Sequence, residues 1–161
     1  LARSRGLGDV YKRQHINRSE DIKQELRKLK LIVTERSSGH KPSDNCDVYI
    51  VNTYGEMSKF LRLSNVTFIG GSLVNHGGQN PLEAVRMGNY VMHGKKVNNF
   101  KEIYKELKSL KISSEIKNID QMEKVFVKNH NYKISKSKIN KINYLGAKIF
   151  ENNVKEIKNY L

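Results

Sequence analysis

Between Gly70 and Glu83 the chain runs Gly-Gly-Ser-Leu-Val-Asn-His-Gly-Gly-Gln-Asn-Pro-Leu-Glu, four glycines followed by the residue types that open a helix. Asn80 is a preferred N-cap, Pro81 suits the first helical position, and Glu83 stands three residues after the cap. Glycines let a ligand approach the backbone closely, and a helix start presents free N–H groups at the positive end of a dipole. Phosphate is the guest such a loop accommodates. A capped helix behind a glycine-rich turn, with Glu83 closing its own capping box, would carry the same signature. The loop is neither a Walker A sequence nor a GxGxxG fingerprint, which weakens kinase and dehydrogenase readings.

A second loop, Asn52-Thr53-Tyr54-Gly55-Glu56-Met57, also leaves an apolar run and opens a helical one. Two helix starts side by side on one sheet edge suit a sugar nucleotide, with phosphate on one and ribose or base on the other. The remaining reactive side chains offer less. His76 and His93 belong to loops at the sheet edge, and His40 to a polar loop. No His/Asp/Glu spacing fits a metal site, so neither a metal nor a cofactor is expected. Ser72 lacks a partnered His/Asp arrangement and a nucleophile elbow. Cys46, the single cysteine, excludes an intrachain disulfide and fits a reducing compartment.

The elements that must position these loops alternate along the chain. Ser19 caps a helix whose first turn holds Glu20 and Asp21, with Ile22, Leu26 and Leu29 on one face. Strands are expected at 31–34, 48–51, 66–69, 90–92 and 110–116, and a polar loop at 37–45. Helices are expected at 56–63, 81–87, 100–107 and 120–127. A long one begins near Ser135, with Ile139, Ile142, Leu145, Ile149 and Val154 as its inward stripe. This alternation implies an α/β fold, an open parallel sheet with helices on both faces. In such sheets ligands bind outside the carboxyl ends of the strands. That rule selects the loop before Ser19, residues 52–57 and residues 70–80. Residues 1–14 lack periodicity and differ in composition from the Lys/Asn/Ile-rich remainder, so the reading leaves them outside the fold as a non-native scar.

The net charge of +14 raises the question of nucleic acid. Residues 15–94 carry ten basic and eight acidic side chains, whereas residues 95–161 carry sixteen and seven, so the excess lies away from the two loops. Those lysines alternate with Asn and Ile without interleaved aromatics. A solvated helix face comes first, an anionic membrane surface second, and nucleic acid last. No run approaches the roughly 18 apolar residues of a membrane span, and no apolar leader segment is visible. The expected location is the cytoplasm or its membrane face.

Taken together, Thr53-x-Gly55-Glu56-Met57, Phe68-Ile69-Gly70-Gly71-Ser72-Leu73, Gly77-Gly78-Gln79-Asn80-Pro81-Leu82-Glu83-Ala84, His93-Gly94 and Asn99-Phe100 appear in order and at family spacing. They resemble the C-terminal domain of 3-deoxy-D-manno-octulosonic acid (Kdo) transferase, across essentially all of residues 15–161. His15 with Arg18 resembles the end of the family's Pro-Arg-His turn, but Arg13-Gln14 stand where Pro-Arg belongs. The resemblance implies the Rossmann-like C-terminal half of a GT-B glycosyltransferase, acting in lipopolysaccharide biosynthesis at the cytoplasmic face of the bacterial inner membrane. It implies that the domain holds the CMP of CMP-Kdo, the acceptor being a lipid A precursor. The residues it assigns to cytidylate are Gly55, Glu56, Met57, Asn80, Pro81, Leu82 and Glu83. Glu83 would accept from ribose hydroxyls, while backbone N–H groups near Asn80 and Gly55 reach phosphate or base. The family's catalytic base belongs to an N-terminal domain expected to be missing here, so no catalytic residue is assigned and the fragment is expected to be inactive alone. A GT-B enzyme using a UDP-sugar, and a basic nucleic-acid-binding module, are the competing readings.

Overall fold

The computed structural model describes residues 10–12 and 19–158. Its elements are β1 (Val10–Lys12), α1 (Ser19–Lys28), β2 (Val33–Glu35), β3 (Val48–Ile50), α2 (Met57–Leu61), β4 (Val66–Ile69), α3 (Leu82–Arg86), β5 (Tyr90–His93), α4 (Lys101–Ser109), β6 (Ser113–Glu115), α5 (Ile119–Asn129) and α6 (Lys136–Lys158). The fold is α/β and Rossmann-like, with every strand pair parallel. The described residues divide into two compact units, 19–57 and 10–12 with 58–158.

The expected single sheet is replaced by two sets of paired strands. β2 pairs with β3 in the first unit, and the order β1-β4-β5-β6 forms the second unit's sheet. The sequence shows which segments are extended, but pairing depends on contacts far apart in the chain. Residues 10–12, left outside the fold by composition, pair with β4, Val10 opposite Thr67 and Lys12 opposite Ile69. Val10 and Tyr11 have strand propensity, and β4 has an edge that accepts a partner. The family turn expected around Arg13-Gln14-His15, with Arg18, lies outside the described residues.

The second unit carries the core. All four residues of β4 and all four of β5 are buried, as expected for strands covered on both faces. Successive side chains point to opposite faces. Val66, Phe68, Tyr90 and Met92 meet Met122, Val125 and Phe126 of α5, while His93 stacks on Tyr104 of α4 from the other face. The helical stripe predicted for α4 is observed, with Ile103, Tyr104 and Leu107 all buried. On α6, Ile142 is fully buried, and α6 packs against α3. A polar link crosses this core. Thr67 Oγ1 donates to Asn89 Oδ1 at 2.5 Å, and Asn89 Nδ2 donates to the Leu61 carbonyl at 2.7 Å.

Three helices end alike, and this displaces two predicted strands. After α1 and α4, Lys30 (φ 61°) and Lys111 (φ 55°) take the left-handed position that Gly88 (φ 94°) takes after α3. Leu31 N donates to Leu26 O, Ile112 N to Leu107 O and Asn89 N to Ala84 O, the long-range bond of a Schellman cap. The strand expected from Leu31 therefore starts at Val33, and that expected from Leu110 starts at Ser113. Leu29, predicted to face inward on α1, lies beyond the helix end and is 70% exposed.

Candidate functional site

In the first unit, β3 delivers the loop at residues 51–56, and that loop is tied to the segment following β2. Asn52 accepts from the Ser37 amide at 2.9 Å and donates to Ser37 Oγ at 2.7 Å. Arg36 grips the Glu56 carboxylate with two bonds, Nε to Oε2 at 2.9 Å and Nη2 to Oε1 at 3.0 Å. Thr53 Oγ1 adds a donor to Oε2 at 2.6 Å. Planar guanidinium and planar carboxylate match in this fork, which fixes orientation as well as charge. The Glu56 bond, followed by one to Tyr49, raises the Arg36 pKa above its ordinary value, so Arg36 is a permanent cation. α2 begins after Glu56, at Met57, and spans five residues, shorter than the 56–63 expected. Gly55 has φ +77°, and a Cβ there would meet nothing within 4 Å. Its backbone is open to a ligand, and its conformation is one that L side chains resist.

In the second unit the glycine loop is built into the protein. Ser72, fully buried, donates from Oγ to the Ile69 carbonyl at 2.6 Å and accepts from the Gly94 amide at 2.8 Å. Its own carbonyl accepts from Lys96 N at 2.8 Å, and the Gly77 carbonyl accepts from Asn99 N at 3.1 Å. A Cβ on Gly94 would lie 2.4 Å from the Ser72 carbonyl oxygen, and one on Gly77 would lie 2.6 Å from the Asn99 side-chain amide. Gly77, one of the four glycines expected to let a ligand approach, is thus taken up by packing on Asn99, as Gly94 is by packing on Ser72.

The structure also redistributes the roles around residue 80. The N-cap of α3 is Pro81 rather than the expected Asn80, which stands one residue earlier; Asn80 Oδ1 still accepts from Leu82 N at 2.9 Å and occupies one of the donors expected to be free. α3 has five residues rather than the seven expected. Pro81 and Leu82 are buried, so their contribution to a ligand is confined to the backbone, while Asn80 is exposed and Glu83 half-buried. Behind them, the Tyr104 hydroxyl donates to the Gln79 carbonyl at 3.0 Å, and burial raises its pKa well above the ordinary phenol value. His93 donates from Nδ1 to the Gly94 carbonyl at 2.8 Å, and burial lowers its pKa. His93 is therefore a neutral core residue near pH 7. His40 belongs to its loop, with Nδ1 2.9 Å from Ser38 Oγ, and Cys46 directs its thiol at the Val48 carbonyl at 3.2 Å.

Sequence reasoning missed three features. The Arg36–Glu56 fork joins residues twenty apart, with no local signal. Nothing local in the sequence marks Ser72 as the bridge to Gly94, which lies 22 residues on. Lys95 and Lys96, following β5, share a depression with Lys117, which follows β6. Their place beyond strand carboxyl ends is readable in the sequence, but their sharing one depression depends on the pairing of β5 with β6.

No family model matches the chain. It is 36% identical over 94 residues to the 3-deoxy-D-manno-octulosonic acid transferase of Haemophilus influenzae, covering 58% of this chain and 22% of that one. It is 30% identical over 130 residues to the enzyme of the same name from Rickettsia bellii, covering 81% and 26%. Among solved structures, the C-terminal CMP-Kdo binding domain of WaaA from Acinetobacter baumannii superposes with a TM-score of 0.67 at 27% identity, over 70% of this chain and 59% of that one. The chain thus spans about a quarter or less of the length of the curated relatives it matches. Over that span it is a relative of the Kdo transferases, in their C-terminal part.

Proposed function

We propose that this chain, a C-terminal relative of the Kdo transferases, binds the cytidylate of CMP-Kdo and belongs to an enzyme that transfers Kdo to a lipid A precursor. The observation that carries the reading is the likeness to the CMP-Kdo binding domain, at 27% identity and TM-score 0.67. The proposed contacts are Gly55, Glu56, Met57, Asn80, Pro81, Leu82 and Glu83. Two features support them. Both segments follow the carboxyl ends of parallel strands, where ligands bind in α/β sheets. Gly55 offers open backbone, and Glu83 and Asn80 offer side chains that are not sealed in the core.

What these residues can do is bind and orient. Glu83 accepts from ribose hydroxyls, and backbone N–H groups near Gly55 and Asn80 meet phosphate or base. Stabilising the departing cytidylate aids displacement at the anomeric carbon of the sugar, because charge develops on that phosphate as the bond breaks. The general base that deprotonates the acceptor is proposed to come from another domain of the complete enzyme. The enzyme is proposed to work at the cytoplasmic face of the inner membrane. No helix among the described residues is long and apolar enough to cross a membrane, and α6 exposes Lys141, Lys148 and Lys155, which suit an anionic surface.

Calorimetry with CMP, UMP and UDP tests the donor. We expect CMP to bind best, and Glu83→Ala to weaken it by roughly tenfold or more, the loss typical of leaving a polar ligand group unpaired. Circular dichroism should be unchanged in that variant. A preference for UDP would overturn the CMP-Kdo assignment in favour of a UDP-sugar enzyme.

A further inference from the structure

At the carboxyl edge of the four-stranded sheet, the segments following β5 and β6 enclose a depression lined by Leu73, Lys95, Lys96, Glu115, Ile116 and Lys117. Three ammonium groups and one carboxylate make it net positive. Its shape is held by the backbone. Lys96 N is bonded to Ser72 O at 2.8 Å, and Ile116 N to His93 O at 2.7 Å. Gly94, just before the lysines, is pressed against the Ser72 carbonyl with no room for a side chain. The lysines therefore start from fixed positions. The apolar part of the lining differs between its two members. Ile116 is buried at 3% exposure, whereas Leu73 is 59% exposed.

We propose that this depression is a binding site for a phosphate monoester, distinct from the residues assigned to cytidylate. Three arguments lead there. Like charges set around one depression repel one another, and an anion removes that repulsion even though the lysines are exposed. The cations are all lysines. A guanidinium fork selects planar bidentate carboxylates, whereas several ammonium groups on flexible stems surround a compact, doubly charged tetrahedral anion. The location beyond three adjacent parallel strands is where such sheets take ligands. The exposed Leu73 beside the cations matches an apolar portion carried next to the phosphate.

The test uses the full chain and inorganic phosphate as probe, followed by amide chemical shifts. Shifts are expected at residues 95–96 and 116–117. The variant Lys95→Gln/Lys96→Gln/Lys117→Gln should weaken phosphate by at least about tenfold, since it removes the whole local field. Lys141→Gln/Lys148→Gln/Lys155→Gln removes the same charge from α6 and should change the affinity less than about twofold. Lys96→Gln alone, measured in parallel, gives an intermediate loss and guards against misfolding of the triple variant. Equal weakening by both triple variants, or shifts confined to other residues, would overturn the proposal. Competition by CMP, or by vesicles containing phosphatidic acid, distinguishes a nucleotide phosphate from a lipid one. If CMP fails to bind at all, the donor assignment falls while the phosphate titration still decides this site.

Discussion

The two units of this molecule are held together by different means. In the unit of residues 58–158, strands β4 and β5 are buried at every position, and Leu107, Ile112, Val91 and Met92 are sealed completely. In the unit of residues 19–57, both strands are only half-buried and α1 has no buried residue. That smaller unit is tied by polar links. Lys23 meets Glu35 at 2.6 Å, Arg36 grips Glu56, Asp47 Oδ2 accepts from Ile32 N at 2.8 Å, and Asn52 brackets Ser37. A fragment of this size buries little apolar surface, so directional bonds must define its loops. The lesson concerns the proposed donor site. Asn80 and Glu83 stand on a rigid apolar platform, whereas Gly55–Met57 depend on an ion-pair fork that is partly open to water.

The comparison can be broken most forcefully at the core. Leu107→Ala removes a fully buried side chain and should cost roughly 2–5 kcal/mol, measured by urea denaturation, with protection lost throughout residues 58–158. A loss well under that range would mean the platform is not the rigid half. A pH titration of stability comes next. The folded-state pKa of His93 is lowered by burial, so the folded state favours the neutral ring. Its contribution is complete above the ordinary His value of about 6.5 and is lost as pH falls from there through the lower folded value. Thermal stability should therefore drop as pH falls below about 6.5, and His93→Asn, which retains a donor for the Gly94 carbonyl, should flatten that slope. An unchanged slope would assign the acid sensitivity elsewhere. The smallest effect is expected at Glu56→Gln. The pair is part-exposed, and such ion pairs are worth about 1 kcal/mol or less, so global stability should hardly move. Amide exchange of residues 36–38 and 52–56 should nevertheless accelerate, because the fork is what orders that loop. Exchange that stays slow would show the loop is held by other means.

Much of the framework could be read from residue order. The position of α1, the bounds of β4, the stripe Ile103-Tyr104-Leu107 and the burial of Ile142 follow from periodicity, which acts over a few residues, although Ser19, expected as a cap, lies within α1. That a helix starts close to Asn80 and holds Glu83 was legible for the same reason, although its N-cap is Pro81. Strand starts after α1 and α4 were not, because lysine at a left-handed helix end carries none of the signal that Gly88 does.

What the sequence alone determined, then, is the α/β alternation, the two loops and the kinship of its motifs with the Kdo transferases. Each rests on local chemistry or on the order of residues along the chain. The tertiary structure decided what those loops are for. It turned the glycines at 77 and 94 into packing contacts, gave Ser72 a bridging role and Glu56 a cationic partner, and gathered Lys95, Lys96 and Lys117 into one concavity. Those outcomes join residues roughly twenty positions apart. Contacts at that range form only when the strands between them pair, and pairing is set by mutual burial rather than by any residue's own preference.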